Sequence, residues 1–209
     1  GKKGFHNIEL YVAPGVLIPR PETELLVEIA LREISRMGTQ AQVLDLGTGS
    51  GAIALAIAHE DNRAIVTATD QSTEALEIAK TNAKLLNVSS RVQLTQGSWY
   101  EAISPQDQFD VIVSNPPYIA NQDPHLIQGD LRFEPSSALT DHGSGLSCLQ
   151  AIISGSGKFL KPGGLIAVEH GFDQSEAVIN LMKIAGLIDV QVHLDLAGHC
   201  RVASGYKSL

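Results

Sequence analysis

Two short segments of this chain carry residue types that could do chemistry. The first is Asn115-Pro116-Pro117-Tyr118, directly behind the apolar run Phe109–Ser114. Consecutive prolines fix φ and cannot continue a strand ladder, so they stiffen the corner. Asn115 offers a side-chain carbonyl, and Pro116 a main-chain carbonyl without a competing N–H. Two fixed acceptors can hold both N–H bonds of a planar –NH2 group and aim its out-of-plane electron density. The Tyr118 ring can pack against the same planar group. A proline-rich turn in which Asn115 merely caps backbone is the alternative. The second segment is Asp45-Leu46-Gly47-Thr48-Gly49-Ser50-Gly51, followed nineteen residues later by Asp70. Glycines serve where a backbone turns sharply and where a ligand must approach main-chain atoms. An acid at the end of the next strand is placed to hold the two hydroxyls of a ribose. On spacing alone, a dinucleotide variant through Gly49, Gly51 and Ala54 remains open.

These segments need elements to position them. Phe5, Ile8, Leu10, Val12, Val16 and Ile18 are scattered among turn residues, which predicts a short β-hairpin within residues 1–20 leading into Pro19-Arg20-Pro21. From Glu22 the apolar residues Leu26, Ile29, Ala30, Ile34 and Met37 fall at helical spacing, with Pro21 suited to the first helical position and Gly38 closing the segment. Strands over Gln42–Leu46, Ala64–Ala68, Val92–Thr95 and Phe109–Ser114 alternate with helices over Ala52–Ala58 and beyond Ser72, a capping residue. Ala120–Ser144 has no clear period and reads as a long functional loop. A helix near Leu146–Ser154 and a turn at Lys161-Pro162-Gly163-Gly164 precede a strand over Leu165–Glu169. A last helix, Gln174–Ala185, leads to strands near Ile188–Leu194 and Arg201–Tyr206. The expected fold is therefore α/β: a doubly wound, Rossmann-like sheet, mostly parallel, with an antiparallel edge hairpin. The N-terminal hairpin, residues 1–20, precedes one domain over residues 21–209.

The string Asp45 to Gly51, with Asp70 and the Asn-Pro-Pro-Tyr corner, resembles the motifs of class I methyltransferases, which implies S-adenosylmethionine as cofactor. Methyl transfer from a sulfonium is an in-line displacement, and an amide or aromatic-amine nitrogen is a poor nucleophile, so positioning does the catalytic work. The corner is shared by N6-adenine DNA methyltransferases, some guanine-modifying RNA methyltransferases and protein glutamine methyltransferases. The segment Leu17-Ile18-Pro19-Arg20-Pro21-Glu22-Thr23-Glu24 is similar to the signature of the release factor glutamine methyltransferases. Glu134-Pro135, Ala138-Leu139, Gly143-x-Gly145-Leu146, Gly97-Ser98-Trp99, Glu169-His170-Gly171 and Asp195-Leu196-Ala197-Gly198 with Arg201-Val202 resemble that family too, in order along nearly the whole chain.

The resemblance implies N5-methylation of the glutamine in the Gly-Gly-Gln tripeptide of peptide chain release factors, a step in translation termination. By motif position, Gly47, Thr48, Gly49, Ser50 and Gly51 hold the cofactor, Asp70 takes its ribose, Trp99 lies beside the adenine, and Asn115 is near the methionine end. Asn115, Pro116, Pro117 and Tyr118 hold the glutamine, and Arg20 helps close the site. The alternatives for the last two kinds of residue are a purely core Trp99 and a solvent-exposed Arg20. Members usually carry a helical domain before the hairpin, and this sequence begins at the hairpin.

Composition narrows the other classes. Fifteen basic against twenty-three acidic residues, net charge −8, oppose a stable hold on nucleic acid, which rests on Lys and Arg neutralising phosphates. No run approaches a membrane span, and Cys148 and Cys200, far apart, suit a reducing cytoplasm. His6, His59, His125, His142, His170, His193 and His199 have no ligand spacing, and none is assigned to a metal. The rival functions are a ribosomal-protein glutamine methyltransferase, an adenine- or guanine-directed nucleic-acid methyltransferase, and an idle cofactor-binding subunit.

Overall fold

The computed structural model describes residues 1–121 and 134–209; His125 and the middle of the long loop expected over residues 120–144 lie outside the described residues. Strands β1 (Lys2–Phe5) and β2 (Ile8–Tyr11) form the N-terminal hairpin. After a 3-10 turn at Pro21–Thr23, helix α1 spans Glu24–Met37. Then come β3 (Ala41–Leu46), α2 (Ala52–Glu60), β4 (Ala64–Asp70), α3 (Thr73–Leu85), β5 (Val92–Gln96) and β6 (Phe109–Ser114). The chain closes with α4 (Ser136–Leu139), α5 (Ser147–Phe159), β7 (Leu160–Glu169), α6 (Ser175–Ile184), β8 (Ile188–Leu194) and β9 (Cys200–Tyr206).

Seven strands form one sheet in the order β5-β4-β3-β6-β7-β9-β8, parallel from β5 to β7 and antiparallel at β9 and β8. The expected doubly wound sheet with an antiparallel edge is thus present. Its central strands are apolar on both faces because both faces are covered. Val43, Val111 and Val113 pack with α1 and α2, while Leu44, Leu46 and Ile112 pack with α5 and α6. The chain runs outward from β3 through β4 to β5, then returns to lay β6 on the other side of β3. That reversal opens a crevice beyond the carboxyl ends of β3 and β6, where ligands bind in such sheets.

Register sets the loops at a common height. Leu46 pairs with both Thr69 and Ser114, and Ser114 pairs with Val168. One residue further on, Gly47, Asp70, Asn115 and Glu169 therefore leave adjacent strands side by side.

The hairpin is less separate than its turn-rich sequence suggests. Phe5, Ile8 and Leu10 are buried in the same core as α1 and α2. Asn82 on α3, fully buried, fastens it: Oδ1 accepts from Tyr11 N at 2.7 Å, and Nδ2 donates to Tyr11 O and Ser50 O, both at 2.9 Å.

Three expectations are corrected. Lys161-Pro162-Gly163-Gly164 is an irregular stretch inside β7 and not a turn before it. Gly163 takes a left-handed φ of 75°, its N–H bonds Lys207 O at 3.0 Å, and the pairing with β6 shifts register there. Helix α5 runs on to Phe159, whose ring stacks on Tyr100 at 4.7 Å. The segment after the proline corner also holds order of its own, since α4 follows Pro135 and Ile119 bridges Thr140.

Candidate functional site

A cavity of about 440 Å³ opens in the crevice, within the range of small-molecule sites. Gly47, Thr48, Gly49, Ser50, Asp70, Trp99, Asn115 and Pro117, all singled out from sequence, line it. Gly51, Pro116, Tyr118 and Arg20 do not. The hairpin's exit, Gly15 to Leu17 with Pro19, supplies one wall, and Asp141, His142 and Cys148 supply another.

The glycine turn is held from beneath and from the side. Gly47 N and Thr48 N both donate to Thr69 O at 2.9 Å, so the turn hangs on the end of β4. Gly47 has φ 76°, and a Cβ there would stand 3.1 Å from the Trp99 ring. Glycine therefore permits both the turn and the close approach of the indole. At Gly51 the constraint is different: a Cβ would meet Leu55 at 2.8 Å and Ala79 at 3.2 Å, so this glycine serves helix packing. Trp99 itself has φ 46°, a conformation that costs a non-glycine residue about 1–3 kcal/mol and persists only where its surroundings impose it. Its ring is thereby turned over Gly47 at the cavity edge.

Two acids shape the turn. Asp45 is fully buried: Thr48 Oγ1 donates to its Oδ2 at 2.6 Å, and Ala54 N at 3.3 Å. Burial pushes its carboxyl up to about 7 against those hydrogen bonds, with Asp70 adding to the rise. Asp70 accepts from Gly49 N and Ser72 N, one bond to each oxygen at 2.9 Å. Each carboxylate oxygen keeps further lone-pair capacity, and the residue lines the cavity. The glycine turn, the indole edge and a carboxylate with lone pairs to spare share one wall of the cavity, a set that suits the base and hydroxyls of a nucleoside.

At the opposite wall, Asn115 Nδ2 donates to Thr23 Oγ1 at 3.1 Å. Pro116 is buried, and the Tyr118 hydroxyl donates to Glu169 Oε1 at 2.9 Å. The ring of Tyr118 is thus turned inward at its tip, packed against the core on the α5 and α6 face of the sheet. Glu169 is 2% exposed; burial pushes its carboxyl up to about 7, opposed by the hydroxyls of Thr23 and Tyr118 and by Arg201. Gln174 Nε2 donates to Tyr118 O at 2.9 Å, pinning the chain as it leaves the corner. Arg20 is ion-paired with Glu134 at 2.6 Å, tying the segment before α1 to the segment before α4. Its side chain keeps 31% exposure, so it is neither buried in the site nor fully solvent-exposed. Asp141 organises the far wall, accepting from Gly143 N, Gly145 N and Ser147 N and from the Ser147 hydroxyl; these bonds hold its carboxyl down at about 2 despite burial.

Sequence reasoning missed Asn82, Thr23 and Gln174 as parts of this site. Only Thr23 carried a signal, its place in the Pro-Glu-Thr-Glu segment; the other two are ordinary helix residues in sequence.

A doubly wound sheet with a glycine turn after β3, an acid at the end of β4 and Asn-Pro-Pro-Tyr after β6 defines an S-adenosylmethionine-dependent methyltransferase of class I. The Methyltransferase small domain family matches residues 21–144. A methyltransferase from Pyrococcus furiosus shares the fold, with TM-score 0.72 and 19% identity over 96% of this chain and 89% of that one. So does a T. thermophilus 16S rRNA N2 methyltransferase in complex with AdoMet and guanosine, with TM-score 0.71 and 21% identity over 99% and 50%. In sequence, the chain is 53% identical over 206 residues to a release factor glutamine methyltransferase of Bordetella pertussis, covering 99% of this chain and 75% of that protein. Against its counterpart in Vibrio cholerae it is 44% identical, over 100% and 72%. The chain belongs to the release factor glutamine methyltransferases, and S-adenosylmethionine is its cofactor.

Proposed function

We propose that this chain methylates the side-chain N5 of the glutamine in the Gly-Gly-Gln motif of a peptide chain release factor. Support comes from family membership joined to one observation: Asn115 lines the cavity while its amide N–H is already engaged by Thr23. Its carbonyl is left as an acceptor, which suits an incoming –NH2 group. Gly47, Thr48, Gly49, Ser50 and Gly51 form the cofactor turn, Asp70 takes the ribose hydroxyls, and Trp99 flanks the adenine.

S-adenosylmethionine supplies an electrophilic methyl carbon. Asn115 Oδ1 and the Pro116 carbonyl accept the two N–H bonds of the glutamine amide, orienting the nitrogen's out-of-plane density toward that carbon. The same two oxygens favour the positive charge that builds on nitrogen as the N–C bond forms and the methyl–sulfur bond breaks, its electron pair leaving on the neutral thioether S-adenosylhomocysteine. The methylated amide then loses one N–H proton to water, so no strong base is required. Pro117 stiffens the corner, Tyr118 anchors it through its hydroxyl on Glu169, and Arg20 holds the neighbouring loop through Glu134.

The partner is a protein, met in the cytoplasm, and a net charge of −8 disfavours a lasting hold on nucleic acid. No helix among the described residues is long and apolar enough to cross a membrane. The methyltransferase domain spans residues 21–209, and residues 1–20 are its hairpin and linker, with Phe5, Ile8 and Leu10 in the shared core. Incubation with a release factor and isotope-labelled cofactor, followed by peptide mass spectrometry, tests the proposal. Label confined to the Gly-Gly-Gln glutamine is expected; label on RNA, or none on that glutamine, would refute it.

A further inference from the structure

The polar residues packed behind Asn115 extend beyond Thr23 to Glu169 and Tyr118. Thr23 is 4% exposed and Glu169 is 2% exposed. They come from distant parts of the chain, one before α1 and one at the end of β7, and each accepts a hydrogen bond from the proline corner, Thr23 from Asn115 and Glu169 from Tyr118. Burying a carboxylate is costly without partners, so what Glu169 holds there has a consequence.

Glu169 Oε1 accepts the Tyr118 hydroxyl at 2.9 Å. Its Oε2 is buried with no hydrogen-bond partner, an acceptor to which the Thr23 hydroxyl, foremost among the groups that favour the charged form of this carboxyl, can turn its proton. A threonine hydroxyl has one proton to give and lone pairs to receive. With the proton directed to the carboxylate, only the oxygen is left for Asn115. That oxygen can meet the NH2 side of the amide but not the carbonyl side, as the 3.1 Å Nδ2 to Oγ1 contact shows. The Asn115 carbonyl is then turned the other way. Were the polarity reversed, Asn115 would present a donor to the two donors of a substrate –NH2 group, and the approach would be repulsive.

We infer that Thr23 and Glu169 are positioning residues for methyl transfer: Glu169 orients the Thr23 hydroxyl, Thr23 orients the Asn115 amide, and Asn115 Oδ1 is thereby fixed toward the substrate nitrogen. This rests on the reading that Asn115 accepts an N–H of the glutamine. The same carboxylate anchors the Tyr118 hydroxyl, so one buried acid sets both ends of the four-residue corner.

The test compares Thr23→Val, Thr23→Ser, Asn115→Ala and the Thr23→Val/Asn115→Ala double variant in single-turnover methylation of a release factor, with cofactor affinity measured by calorimetry. Thr23→Val, matched in shape but lacking the hydroxyl, should slow transfer about 10- to 100-fold while cofactor Kd stays unchanged. Thr23→Ser should recover most of the rate. On the Asn115→Ala background Thr23→Val should add nothing, because the two act as one unit. Wild-type rate in Thr23→Val, equal slowness in Thr23→Ser, or fully additive slowing in the double variant would each overturn the inference. Asn115→Ala at full rate would instead sink the reading on which it rests. Should Thr23→Val not fold, the nitrogen-15 spectrum of the wild-type Asn115 side chain decides. One amide proton protected from solvent exchange is expected, and two freely exchanging protons would overturn the assignment.

Discussion

Replacing Asn82 by Ala should damage both stability and cofactor binding, although Asn82 lies outside the cavity. The side chain is fully buried and makes three hydrogen bonds, to Tyr11 N, Tyr11 O and Ser50 O. A typical internal hydrogen bond contributes about 1 kcal/mol net, and a buried polar group left unpaired costs about 1–3 kcal/mol. Water can reach the partly buried Tyr11 groups, so the lower figure applies twice and the higher once. The expected loss is about 3–5 kcal/mol, a large part of the roughly 5–15 kcal/mol of a typical domain. Loosening β2 also frees residues 15–19, one wall of the cavity, and releases Ser50 within the glycine turn. Cofactor Kd should therefore rise about 10-fold, the equivalent of about 1.4 kcal/mol. Urea unfolding measures the first effect and calorimetric titration the second. Asn82→Asp should be more damaging than Asn82→Ala at neutral pH, since a charged oxygen would then face the carbonyls of Tyr11 and Ser50. An Ala variant within about 0.5 kcal/mol of the parent, the range of an ordinary surface change, and with unaltered cofactor affinity, would refute the argument.

Asp70→Ala should weaken cofactor binding about 10- to 100-fold, the value of a charge-assisted hydrogen bond or two, without abolishing the fold; unchanged calorimetric affinity would remove Asp70 from the ribose. Asp45 implies a pH effect, because its carboxyl is raised from 3.8 to about 7 in the folded chain. The folded state binds this proton more tightly than the unfolded state, so the contribution is fully present below about pH 4 and is lost as pH rises through about 7. Asp70 is the charged group that faces it. Melting temperatures of the parent and Asp45→Asn, compared across that window, should diverge, the parent losing ground as pH rises; parallel curves would contradict the assignment.

Much of this protein was legible in short stretches of sequence. Period-2 and period-3.6 apolar patterns report burial of one face, and Phe109–Ser114, nearly all apolar but for Asp110 and Ser114, announces a strand covered on both sides. Two prolines after Asn115 and three glycines after Leu46 restrict or free the backbone locally, so they needed no tertiary context to be read. The errors have a common cause. Lys161-Pro162-Gly163-Gly164 has turn chemistry, yet Lys207, more than forty residues further on, supplies a backbone partner for Gly163 and draws the segment into β7. Thr23 and Asn115 lie 92 positions apart, Tyr118 and Glu169 lie 51, and Asn82 and Tyr11 lie 71. No local period encodes such pairs. Sequence alone determined which backbones turn, which faces are buried, and which residue types could grip an amide. Strand order and register, settled only when the whole core packs, decided that Gly47, Asp70, Asn115 and Glu169 stand side by side, and that a hairpin and a buried acid hold them there.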